Sequence, residues 1–446
     1  AAGASRACPV GRSLAPPSNS PAPNASCRPW TRGPPPTAAT RASSSSVPRG
    51  SGWSWSAVPK RARRVVRASG FSNAGITALV PGLFFVEGQQ WARQRILTAE
   101  AFSASAVESY MPETSTIVNM LLAELDRRGA QGGALVNVSD VARCFNADLI
   151  SKLVFGEDLG ALQRTSRDLG DVDLLMTCIQ KRVMAVFPYW KVPFLGNLVD
   201  GFEAAVARMK RRCSRLLEAP GGVKKPTLLA KLVAEDFPRD ELIGNMIVLF
   251  VAGTDAVSHI LSWALYHLSS HPDIQRSLAV EATNLQSGLA TGEQLQNLVL
   301  TRAVWKETLR VNIVVPTLYL ESKVDVEVAG RMVPAGTPIW AMLKEASRRN
   351  SVCRDIVGSD WDTWRPQRWL ADGILRSREP LDTCMFGHGP RQCPGMFFAN
   401  TVGPWVLAEI ARRYCIAPWE GPPLGAHTTF TTCPVKDVRL RLSRRL

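Results

Sequence analysis

Apolar residues recur at helical spacing through most of the chain. Apolar side chains at positions i, i+3 and i+4 form one face of an amphipathic helix. Seven segments follow this pattern and are predicted to be helices: Val107–Arg128, Ser139–Val154, Leu198–Leu217, Glu241–Ser269, Pro272–Gln286, Glu293–Val311 and Pro394–Arg413. The pattern begins near residue 70 and predicts a body built mainly of α-helices.

Segments typical of strands are short and lie late in the chain. The predicted strands are Val324–Val328, Met332–Val333, Thr337–Trp340 and Val438–Leu442. A Pro-Ala-Gly turn at 334–336 separates two of them. The sequence therefore predicts a mainly α fold with a minor β-sheet.

The most apolar stretch is Met246–Leu268, which lies inside a predicted long helix over about residues 241–269. Asp255 and His259 interrupt it, and the chain has no uncharged apolar run of 18 residues, the minimum length typical of a membrane span. The interruption predicts a buried core helix.

Residues 1–70 have a different composition from the rest of the chain. They are rich in Pro, Ser, Ala and Arg, and the first acidic residue of the chain is Glu87. Such a segment buries too little apolar surface to offset the entropy of ordering, so a disordered, low-complexity basic tail is predicted. Its composition also fits an organelle transit peptide, and an incorrectly assigned gene start is the alternative.

The net charge of +15 is concentrated in this tail, because residues 1–86 contain eleven basic residues and no acidic ones. Residues 87–446 carry only a small positive excess, which is ordinary for a globular protein. Basic residues without interleaved aromatic side chains or a known binding fold do not indicate a nucleic-acid partner. No nucleic acid is therefore predicted as a partner.

One of the ten cysteines, Cys393, lies in a sequence that favours a thiolate. Glycines and two prolines surround it, which predicts a tight loop, and a helical pattern starts directly after it. The N-terminal dipole of that helix and the N–H groups of the loop stabilise a thiolate. Arg391 supplies a cation for an anionic group of a bound molecule.

The segment from Phe386 to Gly395 resembles the haem-binding signature FxxGxRxCxG of the cytochrome P-450 superfamily, in its eukaryotic form. All five fixed positions match, at Phe386, Gly389, Arg391, Cys393 and Gly395. The resemblance implies haem b as the cofactor and Cys393 as the axial ligand of its iron. It also implies the cytochrome P-450 fold, with haem between the long distal helix and the helix that follows the Cys loop.

Two further motifs occur in the order that the family has them. Glu307 and Arg310 match the ExxR motif, and Trp364–Trp369 resembles FxPxRF with Trp at both aromatic positions. In the family, Glu307, Arg310 and Arg368 would form a buried, ion-paired structural triad. A buried carboxylate between two guanidiniums is satisfied only when all three are present.

Upstream, Trp91 and Arg95 match the WxxxR motif, whose members hydrogen-bond a haem propionate in the family. Arg391 is expected to bind a propionate as well, and His388 is a further candidate. The resemblance covers about residues 71–446, which are expected to form one haem domain lacking part of the N-terminal region of complete members.

The distal helix departs from the family pattern [A/G]-G-x-[D/E]-T-[T/S]. Ala252 and Gly253 match the small residues that leave a groove for dioxygen, and Asp255 matches the acidic position expected in proton delivery. Ala256 stands where the family usually has the threonine that helps to deliver protons. Asp255, Ala256 and Gly253 are therefore the candidate catalytic positions.

The resemblance implies a monooxygenase that inserts one oxygen atom from O2 into a small lipophilic substrate. Its electrons would come from an external donor, either an NADPH reductase or a ferredoxin. Ala256 leaves two alternatives open: an isomerase or dehydratase that acts on a peroxide without activating O2, and a haem-binding protein without catalysis. The family implies the endoplasmic reticulum membrane, through segments absent from this sequence, whereas a transit peptide implies a plastid or mitochondrion.

Overall fold

Helices supply most of the secondary structure in the computed structural model of the chain. The residues that the structure describes are 65–67, 76–130, 134–163, 167–185, 187–192, 194–218, 227–285, 290–322, 324–328, 330–349, 357–376, 385–387, 389–428 and 430–445. All of them belong to one compact unit, Ser54–Arg445.

The described helices agree with the predicted class. In chain order they are α1 (Ile76–Leu79), α2 (Gly88–Ala101), α3 (Ala104–Ser109), α4 (Met111–Leu125), α5 (Val138–Ile150), α6 (Arg167–Val183), α7 (Leu195–Val199), α8 (Phe202–Glu218), α9 (Leu228–Ala234), α10 (Arg239–Ser269), α11 (Pro272–Glu281), α12 (Gly292–Gln296), α13 (Val299–Val311), α14 (Leu343–Arg349) and α15 (Met396–Arg413).

The described strands are short and form small antiparallel sheets. They are β1 (Val65–Arg67), β2 (Leu135–Asn137), β3 (Leu318–Ser322), β4 (Val326–Val328), β5 (Arg331–Val333), β6 (Pro338–Ala341), β7 (Leu370–Ala371), β8 (Ile374–Leu375), β9 (Tyr414–Ile416), β10 (Ala426–Thr428), β11 (Thr432–Pro434) and β12 (Arg439–Arg444). One sheet has the order β1-β3-β6 and another β2-β12-β9, while β4-β5, β7-β8 and β10-β11 are two-stranded.

The long helix α10 lies in the centre of the apolar core. It packs against α5, α8, α13 and α15, and residues 241–251 are all buried. By length and hydropathy, α10 is the described helix that would suffice to cross a membrane, yet 78% of its most apolar window is buried inside the protein. The buried surface is that of a core helix.

Strand β1 lies within the segment predicted to be a disordered tail. Val66 of β1 is opposite Glu321 of β3, and β3 pairs on its other side with β6. The folded unit therefore includes residues on the tail side of residue 70. The pairing gives β3 a hydrogen-bonded neighbour along each of its edges, so neither edge is open.

Three predicted helices are each divided in the structure, and one of them, Leu198–Leu217, breaks at Asp200 and Gly201 between α7 and α8. The segment Val107–Arg128 breaks at Tyr110, because Pro112 stands in the first turn of α4, where a proline without an N–H group is tolerated. The segment Glu293–Val311 breaks between α12 and α13. The carboxylate of Glu281 accepts hydrogen bonds from the N–H groups of Leu300 and Thr301 at 2.7 and 2.8 Å, which caps α13 from a neighbouring helix.

Helix α2, which contains the WxxxR motif, is absent from the helices predicted by periodicity. Its buried residues are Gln94, Thr98 and Ala101, none of which is strongly apolar. Gln94 is buried because its amide donates to Pro81 O at 3.1 Å and to Glu241 Oε2 at 2.9 Å. A helix buried through polar contacts has no hydrophobic stripe to detect.

The start of α10 makes close backbone contact with the segment that precedes α2. A Cβ atom built on Gly244 would lie 2.8 Å from the carbonyl carbon of Pro81 and 2.9 Å from the N atom of Gly82. The side chain of Asn245 accepts a hydrogen bond from Leu83 N at 2.9 Å. These contacts fix residues 81–86 on the core.

We expect Gly244→Ala to lower the free energy of unfolding by about 1–3 kcal/mol, because the added methyl group has only rigid backbone to displace. Gly170→Ala is the matched control, since Gly170 also lies within a helix, α6, and no described atom is within 4 Å of the added Cβ. Alanine there is expected to raise stability by about 0.5–1 kcal/mol. Urea denaturation measures both, and equal effects would contradict the close contact at Gly244.

Candidate active site

Cys393 lies at the end of a loop that its backbone holds closed. The N–H group of Cys393 donates to Phe386 O at 2.9 Å, and that of Gln392 donates to Gly389 O at 3.0 Å. Gly387 and Gly389 have φ values of +76° and +71°, a region in which residues with a Cβ atom are strained. The two glycines thus permit a turn that brings the chain back on itself at Cys393.

The Cys393 side chain is exposed and precedes the first residue of α15, Met396, by three positions. A helix N-terminus carries a partial positive charge, which stabilises a thiolate. A Cβ atom built on Gly395, the N-cap residue of α15, would lie 3.9 Å from the Cys393 sulfur. The N-terminus of the helix therefore lies beside the thiol.

Two arginines converge on this loop. Burial lowers the pKa of the half-buried Arg95 guanidinium, and the charge of Cys393 opposes that shift, which places the two groups within electrostatic range. Burial also lowers the pKa of Arg391 to about 10; Glu87 raises it, and Arg95 lowers it further. The two like charges lie near each other beside a thiol, an arrangement that favours an anionic partner.

Arg391 is held in place by the segment before α2. Its guanidinium lies 4.3 Å from the centroid of the Trp91 ring and donates to Val86 O at 2.9 Å and to Leu83 O at 3.4 Å. Trp91 and Arg95 are one turn apart on α2. The structure thus brings Trp91, Arg95, Arg391 and Cys393 together, while His388 lies outside the described residues.

Glu307 lies between two buried guanidiniums. Arg310 donates to both carboxylate oxygens, through Nε at 2.9 Å and Nη2 at 2.8 Å, and Arg368 donates through Nε at 2.8 Å. The side chains of Glu307 and Arg310 are fully buried, and that of Arg368 is 4% exposed. Each charge of the group depends on the others because water cannot reach it.

Further contacts complete this group. The indole of Trp369 donates to Glu307 Oε2 at 2.9 Å, and the backbone N–H of Arg365 donates to Oε1 at 2.8 Å. The spare donors of the two arginines reach backbone carbonyls of Val357, Asp360, Trp361 and Thr363. The Trp that replaces the family's second aromatic residue therefore adds a hydrogen bond that a phenylalanine would lack.

Small residues lie on α10 where its long buried stretch ends. Ala252 is exposed and Ala256 partly exposed, directly after a stretch in which every residue is buried. Positions i and i+4 share a helix face, so the two alanines form one small-residue surface.

Gly253 has a different environment from the one expected. A Cβ atom on Gly253 would lie 2.7 Å from Cδ1 of Ile150 on α5, so this glycine permits close packing of two helices. Of the two residues matched to the dioxygen groove, Ala252 is exposed, whereas Gly253 is partly exposed and packs against Ile150.

Asp255 is buried and has contacts that the sequence did not predict. Its Oδ2 atom accepts a hydrogen bond from Thr431 Oγ1 at 2.6 Å, and its Oδ1 atom lies 3.5 Å from His259 Nε2. Ser258 donates to the backbone carbonyl of Asp255 at 2.8 Å, so its hydroxyl proton is used in a hydrogen bond within α10. Thr431 follows Asp255 by 176 residues, and no local motif signals such a contact.

Comparison with known proteins identifies the family. The family described as cytochrome P450 matches residues 60–431, most of the chain. The chain belongs to the cytochrome P450 family. As a cytochrome P450 it is a monooxygenase, an oxidoreductase whose cofactor is haem b.

Individual cytochromes P450 resemble the chain over most of its length. Human mitochondrial sterol 26-hydroxylase is 28% identical over 400 residues, which cover 82% of this chain and 73% of the relative. Human mitochondrial 25-hydroxyvitamin D-1 alpha hydroxylase is 28% identical over 400 residues, covering 82% and 76%. The haem domain of a cytochrome P450DA mutant has the same fold, with a TM-score of 0.72 at 19% identity over 86% of this chain and 85% of that one.

The described residues fit the cofactor of this family. A cysteine before a helix N-terminus is a suitable thiolate donor to a haem iron. Arg95 and Arg391 suit carboxylates such as the two propionates of haem b. A face of alanines on α10 suits the close approach of a flat ring system and a small ligand. The site as a whole is thus consistent with this P450's cofactor.

Proposed function

We propose that this cytochrome P450 inserts one oxygen atom from O2 into a lipophilic organic substrate, with electrons from an external donor. The observation that carries the proposal is that Arg95 lies within electrostatic range of both Cys393 and Arg391, in front of α15. Haem b with a thiolate ligand supplies the chemistry of O–O cleavage. Cys393 is proposed as the axial ligand.

The other site residues have proposed roles that follow from their positions. Arg95, Arg391 and Trp91 would hold the propionates, and His388 remains a candidate for the same role. Phe386, whose carbonyl anchors Cys393 N, would shield the sulfur from water. Gly389, with a φ of +71°, permits the loop geometry, and Gly395 is the N-cap residue of α15. Glu307, Arg310 and Arg368 would stabilise the fold on the proximal side.

Asp255 is proposed to move protons between solvent and the distal side of the site. It is the carboxylate of α10 next to the accessible alanine face, and its Oδ2 atom is hydrogen-bonded to Thr431. Ala256 has no hydroxyl, so an ordered water or a hydroxyl of the substrate would complete the path. The names of the two human relatives support a substrate hydroxyl, because they describe enzymes that act on a sterol and on a hydroxylated vitamin D, and both compounds carry hydroxyl groups.

A mitochondrial location with a ferredoxin-type donor is the proposed setting. The Arg-rich, Ser-rich and acid-free segment 1–70 supports it, as do the names of the two mitochondrial relatives. The endoplasmic reticulum with an NADPH reductase is the alternative setting.

The second candidate function is the rearrangement or dehydration of a peroxide. Ala256 favours it, because a reaction that starts from a peroxide needs no hydroxyl to deliver protons to O2. It would need neither reductant nor O2.

Turnover of the haem-loaded, full-length protein separates these functions. In the first assay, sterols are tested as substrates with NADPH and either a ferredoxin system or a flavoprotein reductase. In the second assay, a lipid hydroperoxide is supplied without reductant, and the two turnovers are compared. Product that contains one atom of 18O from 18O2, and only with reductant, is the expected result. Hydroperoxide turnover without reductant, together with no 18O incorporation, would replace the monooxygenase proposal with the second candidate.

A further inference from the structure

We propose that His259 is a positioning residue that exchanges protons with Asp255 and connects this buried carboxyl to solvent. The inference rests on the proposed role of Asp255 and extends it to a residue that no motif of the family suggested. The chain lacks a hydroxyl at Ala256, and Asp255 instead has the imidazole of His259 four positions later on the same helix face.

The contact between the two side chains is a consequence of helix geometry. His259 follows Asp255 by four positions on α10, so both side chains lie on the same face. The distance from His259 Nε2 to Asp255 Oδ1 is 3.5 Å. Thr431 donates to the other carboxylate oxygen at 2.6 Å, which fixes the carboxylate with Oδ1 towards the imidazole.

His259 is more exposed than the carboxylate and lies within electrostatic range of a partly exposed ion pair, Arg143 and Asp173. The exposed fraction is 8% for the side chain of Asp255, 15% for that of His259, and 30% and 52% for the ion pair of Arg143 and Asp173. Exposure therefore increases along this row of groups. The row runs from α10 through residues of α5 and α6.

The second imidazole nitrogen of His259 is suited to complete the path. Nδ1 is buried and has no hydrogen-bond partner among the described residues. A buried ring nitrogen is ordinarily satisfied by an ordered water. In one transfer, the water receives a proton from solvent and passes one to Nδ1, while Nε2 releases its proton to the Asp255 carboxylate. The water is restored, and the imidazole stays neutral in its other tautomer.

The charges around His259 have definite signs. Burial is the largest influence and lowers its pKa; Asp255 raises the pKa, Arg143 lowers it and Asp173 raises it. Cys433 on β11 also lies within range of Asp255 and Asp173, and these charges together with burial raise the pKa of its thiol to about 11, so it is uncharged at neutral pH. Burial therefore favours the neutral imidazole, the state that both accepts and donates a proton.

The first test measures the titration of His259 in the haem-loaded protein. The probe is the 13Cε1 signal of labelled histidine in the diamagnetic ferrous carbon monoxide form, assigned by its loss in His259→Gln. We expect Asp255→Asn and Asp173→Asn to lower the pKa of His259 and Arg143→Gln to raise it. Unchanged values in all three variants would overturn the proposed coupling, and this readout does not depend on turnover.

The second test measures product formed per NADPH consumed, as a function of pH. We expect His259→Gln to lower this coupling by about tenfold and to abolish its dependence on the His259 titration. His427→Gln is the matched control, because His427 is an exposed histidine on β10. Equal coupling in the two variants would overturn the role of His259.

Ala256→Thr distinguishes a failure of this inference from a failure of the proposed function. Under the monooxygenase proposal, Ala256→Thr is expected to raise coupling in the otherwise unchanged protein. A gain in Ala256→Thr with no loss in His259→Gln would reject the role of His259 alone. No reductant-driven turnover in any form would reject the monooxygenase proposal, while the histidine titrations would still report the contact with Asp255.

Discussion

Replacing Cys393 with serine is expected to abolish the red-shifted Soret band of the reduced, carbon monoxide-bound protein and to eliminate reductant-driven turnover. Serine has an alcohol in place of the thiol and does not form an anion at neutral pH. It therefore cannot replace the electron donation of a thiolate to the haem iron. The measurement is a difference spectrum of the purified, haem-reconstituted protein, with haem content determined separately.

Cys433→Ser is the matched control for this experiment. Cys433 is a half-buried cysteine on β11, and burial raises the pKa of its thiol to about 11, so it does not carry a thiolate at neutral pH. Its replacement is expected to leave the band in place. A band that persists in Cys393→Ser, or disappears in Cys433→Ser, would assign the axial ligand to another residue.

Replacing Glu307 with glutamine is expected to lower the free energy of unfolding by about 3–5 kcal/mol, a large fraction of the stability of an ordinary domain. The substitution leaves the guanidiniums of Arg310 and Arg368 buried, charged and close to each other. We expect soluble yield and the midpoint of thermal unfolding to fall together, with or without haem.

Glu409→Gln provides a comparison within the same protein. Glu409 is also a buried glutamate that pairs with an arginine three positions later, Arg412, but the Arg412 side chain is 23% exposed and can turn to water. We expect a loss of about 1 kcal/mol or less there. Similar losses in both variants would mean that the Glu307 group contributes no more than an ordinary helix pair.

The proximal side of the site could be predicted from sequence because its members are close in sequence and chemically unusual. The cysteine loop needs its glycines within a few positions, and Glu307 and Arg310 are one helical turn apart. Rare residue types at short, fixed spacings survive as motifs. The helical class was predictable for a related reason, since burial of an apolar face repeats every turn.

The distal side depends on contacts between distant parts of the chain, and sequence patterns did not reveal them. Thr431 reaches Asp255 across 176 residues, and Ile150 explains Gly253 only once α5 and α10 are packed. The same holds for Glu281, which divides a predicted helix by capping α13 from α11. His259 could have been noticed from its i+4 spacing to Asp255. Such a spacing indicates a chemical role only when the burial of both side chains and the groups packed against them are known.

The contact between Arg391 and Val86 has a consequence for biosynthesis. The two residues are 305 positions apart, and the guanidinium is also stacked on Trp91. During translation, the segment that carries Trp91 and Arg95 leaves the ribosome long before Arg391 and Cys393 are synthesised. The side of the site proposed to bind the propionates is therefore completed only when nearly the whole chain has emerged, so cofactor capture belongs to the end of synthesis or to a step after it.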